Sequence, residues 1–395
     1  MTRISLALVC CLSSPAWAEE PVEPAAPVEE PKPLSPAPIP AKQDVVVARP
    51  TIEETKLVSP FLPWQTSKLY VELEVYSQAR MTSREGDDLS ELRLDRGEFG
   101  GRFQLGTQAA AELRFEAIRS AVEGGSLGID GDSTVFRLKF AQLLGGHDFS
   151  TRLRLDGALG FVPDPWIRSL EEDYTVKPLS RTGSERLLLW PTSDLSGLVR
   201  LTAGPVRATI AVGNGEGPQF PERNTGKTTT GVLEVVPIAN EHVRVTLGGV
   251  VRDGSIGVAS IRDRRYGGGA SIVTPYVRGG FEAVVAQGIG DVAAAEGLLT
   301  SAWADMRLVP RVFVAARGSS LGFSNGGGRQ ATFGGAVAYE PWRDRDPRQR
   351  GIFRVWLAVD RVTSSGAAMP LPGIDAGKAT QIMLIASAIA PFTLE

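Results

Sequence analysis

From about residue 67 onward, apolar and polar side chains alternate with a period of two, and the pattern repeats to the end of the chain without a helical stretch between. The segment 136–161 shows it well. Phe136, Leu138 and Phe140 alternate with Arg137 and Lys139; then Leu153, Leu155, Leu159 and Phe161 alternate with Arg152, Arg154 and Asp156. A period of two with full charges on one face and hydrocarbon on the other describes a strand between two different solvents. A soluble sheet shares that pattern, with core on one side and water on the other. Its repetition along the whole chain points instead to an all-β fold, a transmembrane antiparallel β-barrel.

Counting segments predicts 16 strands, an even number as expected of a bacterial barrel. A turn is expected at Gly145-Gly146-His147-Asp148. A bulge near Arg96-Gly97 is needed to reconcile Leu92 and Leu94 with Phe99, Phe103 and Leu105. Short junctions at 203–205, 237–240, 274–275 and 309–310 alternate with longer connections at 81–88, 120–132, 162–194, 214–226, 253–264, 288–295, 319–328, 341–350 and 363–376. Short turns on one side and long loops on the other are what the periplasmic and external ends of such a barrel require. Tyr70, Trp303, Tyr339, Trp342 and Trp356 fall near strand ends, where interfacial aromatic girdles form.

The N-terminus bears on compartment. Met1 to Ala18 carries Arg3, an apolar run from Ile4 to Leu12 and Ala-Trp-Ala at 16–18, the pattern of a secretory signal peptide. Cys10 and Cys11, the chain's two cysteines, fall within that leader, so no disulfide is expected in the remainder. Residues 19–66 form a linker, rich in Pro, Glu and Ala up to about Pro50, a composition too poor in apolar side chains to build a core. The barrel then occupies 67–395. Apolar residues make up 43% of the chain, yet beyond the leader no run approaches the ~20 residues of a membrane helix. Without Arg3, 41 basic residues face 45 acidic ones, which argues against a nucleic-acid partner.

A barrel of 16 strands encloses a lumen too wide for side chains to fill, so inward charges meet water. Inward basic candidates are Arg114, Arg137, Lys139, Arg152, Arg154, Arg200 and Arg207, with Arg244, Arg307 and Arg354 further on. Glu72, Glu74, Glu112, Glu116, Asp156, Glu234, Glu282, Asp305 and Asp360 oppose them. The totals nearly cancel, but the basic set crowds the third to seventh strands, which favours a weak preference for anions. The long connection 162–194 carries Arg168, Lys177, Arg181, Glu185 and Arg186 and ends in Leu187-Leu188-Leu189-Trp190. Such a loop needs an apolar surface to pack on, and folding into the lumen supplies one; it is the expected constriction.

The stretch Arg93-Leu-Asp-Arg-Gly-Glu-Phe-Gly-Gly-Arg-Phe103 resembles a second-strand signature of the phosphate-selective porin O and P family. Ser184-Glu185-Arg186, and Gly213-Asn-Gly-Glu-Gly217 followed by Asn224, Lys227 and Val236-Pro237, are similar to that family's other elements in order and spacing. The resemblance implies a 16-stranded trimeric outer-membrane porin whose third external loop, here 162–194, narrows the pore. Two features depart from the family: the ending Ala-Pro-Phe392-Thr-Leu-Glu, where an aromatic terminus is usual, and the lack of a dense basic ladder.

Catalytic and metal-binding patterns are weak. His147 and His242 are the two histidines, and neither has a nucleophile motif beside it. Asp130 and Asp132 lack the rest of a Ca²⁺ ligand set, and Asn214-Gly-Glu-Gly217 is followed by no Gly-Lys-Ser/Thr. No cofactor or metal is therefore expected. The expected protein is a bacterial outer-membrane channel, in contact with lipid, passing small solutes or anions. The alternatives are a structural or adhesive barrel with a closed lumen and a secreted soluble β-protein.

Overall fold

The computed structural model describes residues 69–394, except 85–86, 120–133, 178, 180, 188, 218–223, 258–259, 290–291, 325–326, 344–351 and 366–376. The expected signal peptide, the whole of the linker, and Asp130 and Asp132 lie outside the described residues.

Sixteen antiparallel strands follow in chain order. They are β1 (Leu69–Arg84), β2 (Asp87–Gln104), β3 (Ala109–Arg119), β4 (Thr134–Ser150), β5 (Leu153–Pro163), β6 (Ser193–Ala203), β7 (Val206–Gly213) and β8 (Thr228–Ala239). They continue as β9 (Arg244–Ile256), β10 (Ile261–Val273), β11 (Val277–Gln287), β12 (Glu296–Val309), β13 (Val312–Phe323), β14 (Arg329–Arg343), β15 (Ile352–Ser365) and β16 (Gly377–Leu394). Each strand pairs with its sequence neighbours, and β1 pairs with β16 from Leu69 opposite Leu394 to Arg84 opposite Ala379, closing the barrel. Two short helices, α1 (Pro165–Asp173) and α2 (Gly183–Arg186), lie in the connection between β5 and β6.

The barrel is polar inside and apolar outside. Phe136, Leu159, Val199, Ile210, Leu233, Val251, Phe281, Phe333, Leu357 and Leu384 all point outward and are exposed, while Glu98, Glu116, Glu234, Arg96, Arg200 and Arg252 are buried within. An apolar band on this scale is a membrane surface, not the exterior of a soluble protein. At the end where β1 begins, six connections (105–108, 151–152, 204–205, 240–243, 274–276 and 310–311) are two to four residues long. The seventh at that end, 344–351, is longer. The longest connection, 164–192, lies at the opposite end.

Bulges set which side chains enter the lumen. Tyr76 pairs with Arg96 but Ser77 with Leu94, leaving Asp95 as the extra residue, one position from the expected bulge. A second bulge was not anticipated. Arg114 pairs with Phe140 and Phe115 with Leu138, so Lys139 is extra and the parity of β4 reverses there. Phe136 is 77% exposed to the lipid side while Phe140, expected on the same face, is 4% exposed. On β8, Val235 pairs with Leu247 and Ile238 with Val245. Pro237, which has no N–H to donate, thus sits in a bulge and does not end the strand.

Other expectations need correction. Strand β4 runs through Gly145–Asp148, and the turn lies at Thr151-Arg152, where the Ser150 hydroxyl accepts the amides of Arg152 and Leu153 at 3.3 and 3.1 Å. Arg152 is therefore an exposed turn residue, not a lumen wall residue. Gly146 is a strand residue whose missing side chain makes room for the Arg154–Asp156 pair; a Cβ there would lie 2.4 Å from an Asp156 carboxylate oxygen. Trp303 and Trp356 face inward, against the expectation of a girdle; Trp356 packs on Phe313 and on the long loop. Tyr339 points outward near the short-turn end, as a girdle residue should. The side chains of Tyr70 and Trp342 are outside the described residues. Connections 81–88, 253–264 and 319–328 are shorter than expected because the strands continue into them.

Leu233 lies at the middle of β8 on the lipid face, 52% exposed in the isolated chain. Leu233→Arg is expected to cost about 2–4 kcal/mol, the penalty for a cation at mid-bilayer depth. Reversible denaturant unfolding from lipid vesicles measures it. Val206→Arg, on the lipid face at the first residue of β7, should cost only about 0–1 kcal/mol, because the penalty falls away toward the interface.

Candidate functional site: the loop seated in the barrel

The loop is tied at its base. Asp164 caps α1, its Oδ1 accepting the amides of Trp166 and Ile167 at 2.9 and 3.3 Å, with Pro165 supplying a fixed first-turn φ. The Asp164 amide donates to the Thr192 carbonyl at 3.1 Å, joining the loop's two ends. Arg252 donates to Asp164 Oδ2 at 3.3 Å, to Asp263 at 2.9 Å and to the Gly215 carbonyl at 3.1 Å. Asp194 accepts the Gly215 amide at 2.6 Å, so the Asn-Gly-Glu-Gly segment braces the loop from the side.

From this base the loop crosses the lumen. Trp166, Ile167, Leu187, Leu189 and Trp190 pack on lumen-facing Val232, Val250, Val284, Leu299 and Leu321. Farther across, Val176 and Leu179 pack on Phe313, Ala336, Ala338, Trp356, Met383 and Ile385. Each large apolar side chain so buried contributes about 1.5–3 kcal/mol. This explains the Val, Leu and Trp on the wet face of β8–β16, which alternation alone would make polar. Helix α2 docks on β11 and β12: the Ser184 amide and hydroxyl donate to Glu282 at 3.1 and 2.5 Å. Gly183 permits this approach, since a Cβ there would meet Ser301 Cβ at 2.5 Å.

Ion pairs complete the seating. Lys177 lies 3.2 Å from Glu74 and 3.9 Å from Glu98. Glu172 pairs with Arg207 at 2.9 Å, Asp173 with Arg244, and Arg181 with Glu185 at 3.2 Å. Arg186 donates to Ser319, and Thr175 to Asp305 at 2.5 Å. Burial opposes the Lys177 charge, but Glu74, Glu98 and Glu171 more than offset that and hold its pKa well above the ordinary value. Burial likewise pushes Glu172 up, and Arg207 and Arg244 bring it below the usual carboxylate range.

All five charged loop residues singled out in the sequence — Arg168, Lys177, Arg181, Glu185 and Arg186 — are inside the barrel. Of the wall residues, Arg114 reaches Glu98 at 3.2 Å, Arg137 reaches Glu116 at 2.6 Å and Lys139 reaches Glu98 at 2.8 Å. Arg154 pairs with Asp148 and Asp156 at 2.8 Å near the short-turn end, and Arg200 donates to Thr209 at 3.0 Å. His147 lies on β4, exposed, 3.2 Å from Gln108, and His242 lies in the 240–243 turn. Sequence reasoning passed over Arg96, Glu98, Arg102, Arg252, Arg265 and Arg317, all inward. The even parity of Arg96, Glu98 and Arg102 beyond the bulge was the available signal for the first three. Arg96 meets Glu185 at 3.9 Å, so two of the segments that carry the family resemblance touch in space.

Between α1 and the wall of β2–β6 lies a cleft of about 370 Å³. Arg102, Arg168 and Arg200 line it with Glu112 and Gln142; Arg102 and Gln142 both donate to Glu112 at 2.9 Å. With three guanidiniums and one carboxylate, the lining carries a net positive charge.

No protein-family model matches the chain, and no curated protein matches it in sequence. Solved structures match it in shape. The anion-selective porin from Comamonas acidovorans gives a TM-score of 0.53 at 13% identity, over 82% of this chain and 100% of that one. OmpT, an outer membrane protein of Vibrio cholerae, gives 0.51 at 10% identity over 82% and 98%, and a trimer form of it gives 0.50 at 11% over 82% and 99%. The outer membrane channel DcaP of Acinetobacter baumannii gives 0.50 at 9% over 82% and 97%. The chain therefore has the fold of a sixteen-stranded outer-membrane porin. That fold and the apolar band point to the bacterial outer membrane. The likeness supports the porin architecture and does not single out the phosphate-selective porin O and P family.

Burial raises the Asp164 pKa to about 6, against the pull of Arg252 and the two helix amides. Between the ordinary carboxylate value and 6, the seated group holds a proton that a released loop would shed, so seating strengthens as pH falls from 7 toward 4. The gain is on the order of 1 kcal/mol at pH 5. Melting followed by tryptophan fluorescence at pH 5 and 7.5 should show this increment in the wild type and lose it in Asp164→Asn. Equal pH dependence in both proteins would refute it.

Proposed function

We propose that the barrel is a passive diffusion channel for small hydrophilic solutes and ions, with a weak preference for anions. The observation that carries this reading is the arginine-lined cleft between the seated loop and the β2–β6 wall. Cations fixed around a narrow, partly desolvated passage attract anions by field and by donor geometry. Glu112 within the cleft, and Glu172, which neutralises the nearby Arg207 in an ion pair, keep the preference weak. On this reading 1–18 is the export leader, 19–66 is a periplasmic spacer, and the narrowing element is loop 164–192. The name of the Comamonas porin, anion-selective, agrees in direction. The resemblance to phosphate-selective porin O and P supports the same class, and the contact between Arg96 and Glu185 gives its separated motifs a shared position.

Planar bilayers with a salt gradient test the channel. The wild type should conduct, with a reversal potential on the anion side. Arg168→Ala with Arg200→Ala should move the chloride-to-potassium permeability ratio about two- to fivefold toward cations. Cation selectivity in the wild type would overturn the preference, and absence of conductance would favour the closed-lumen barrel.

We further propose a homotrimer, supported by the trimer form among the similar structures and by the implied family. Cross-linking in mild detergent should give a threefold-mass species that boiling reduces to the monomer. A monomer at all protein concentrations would end the proposal.

A further inference from the structure

We infer that the lumen holds a second subsite, built for a small neutral saccharide or similar polyol, between α1 and the wall of β9–β12. The inference rests on the reading of the lumen as a solute path. Helix α1 divides the space. Pro165, Arg168 and Glu172, at helical spacing, face the arginine side, while Trp166, Ser169, Leu170 and Asp173 face the other. On that second side lies a partly open cleft between the helix and the sheet.

Its walls suit a ring with C–H faces and O–H edges. Tyr174 and Trp303 supply aromatic surface above the buried Trp166; they meet nearly at right angles, 74° with centroids 5.2 Å apart, and so form a corner. Trp166 lies directly on the sheet because the wall there is bare backbone. A Cβ at Gly248 would sit 3.2 Å from the indole, and one at Gly269 3.5 Å. The buried indole N–H of Trp166 has no hydrogen-bond partner within the protein. Aromatic rings with a polar handle bind surfaces that are apolar on one side and wet on the other.

The polar groups are hydroxyls. Ser169 donates to Glu234 at 2.8 Å, and Ser271 and Thr246 donate to Asp173, so each oxygen keeps lone pairs to accept a sugar O–H. Glu282 accepts from Ser184 and retains further acceptor capacity toward the cleft. None of the described lining residues is Arg or Lys, and the charge present is negative. An anion finds no cation among the described lining residues, whereas a neutral polyol meets hydroxyls and aromatic surface. Ser169, Tyr174, Thr246, Ser271, Ser301 and Trp303 are only partly buried, so the cleft opens to the lumen.

The test uses the full chain in two settings. In detergent micelles, maltose or glucose should produce a saturable change in tryptophan fluorescence; in bilayers, the same sugars should interrupt the current independently of salt concentration. Trp303→Ala should raise the half-saturating concentration about tenfold, equivalent to the loss of one good aromatic contact. Trp303→Phe should stay near the wild type, and neither should move the reversal potential. Heat-modifiable gel mobility checks that both variants fold. No saturable signal with either sugar, or equal affinity in Trp303→Ala, would overturn the subsite. A protein that binds sugar in micelles but passes no current would instead defeat the channel reading, so the two failures are separable.

Discussion

Hydrocarbon offers no partner to a peptide N–H or C=O, and every other feature of this chain is arranged around that fact. A strand in lipid must pair on both sides, and a sheet satisfies all its strands only by closing. Here β1 meets β16 in an unbroken register. Closure creates two solvents, lipid outside and water inside, and the alternation of side chains then follows from geometry. The charges are inside because they would cost several kcal/mol each on the other face.

The inside is not simply water, however. Loop 164–192 brings apolar side chains into the lumen, and the wall answers with apolar residues of its own on β8–β16. The lumen of this barrel is thus divided. The β8–β16 side is largely a protein core, with charges held in pairs, while the β2–β7 side has a smaller apolar cluster around Leu144, Val162 and Leu198 and is otherwise polar and rich in arginine. Burying an ion is tolerable only when its partner comes with it. Glu98 meets Arg96, Arg114, Lys139 and Lys177, and is 1% exposed. A loop that supplies one member of such a set is held in register by charge as well as by packing.

The division also explains what was legible in the sequence. Strand existence, number and most facing directions were readable, because two-residue periodicity is imposed by lipid on every strand alike. The loop's entry into the lumen could be argued from Leu187, Leu189 and Trp190, which needed a surface. The failures have two causes. Trp303 and Trp356 are large apolar groups that the rule assigns to the interface, yet they face inward because the loop makes the lumen locally apolar; Phe140 is turned inward by the extra residue at Lys139. The bulge at Lys139 left no mark in composition, since an extra lysine in a charged strand looks like any other lysine. Arg252 and Arg265 border the expected connection 253–264, at the strand ends where facing direction was hardest to assign.

Helix α1 ties these threads together, because its two faces meet different halves of the lumen. Arg168 and Glu172 look toward Arg102, Arg200 and Arg207; Trp166 and Asp173 look toward glycine, serine and threonine on β9 and β10. A nine-residue helix capped by one aspartate therefore sets the chemistry on both sides at once. Rotating it by one residue would carry Arg168 away from the cleft and put Trp166 against charged wall. The cap at Asp164, braced by Arg252 and by the Thr192 carbonyl, fixes that rotation at the point where the loop leaves the sheet. Selectivity in such a barrel is then a property of how firmly the base of one loop is held, more than of the count of charges along the wall.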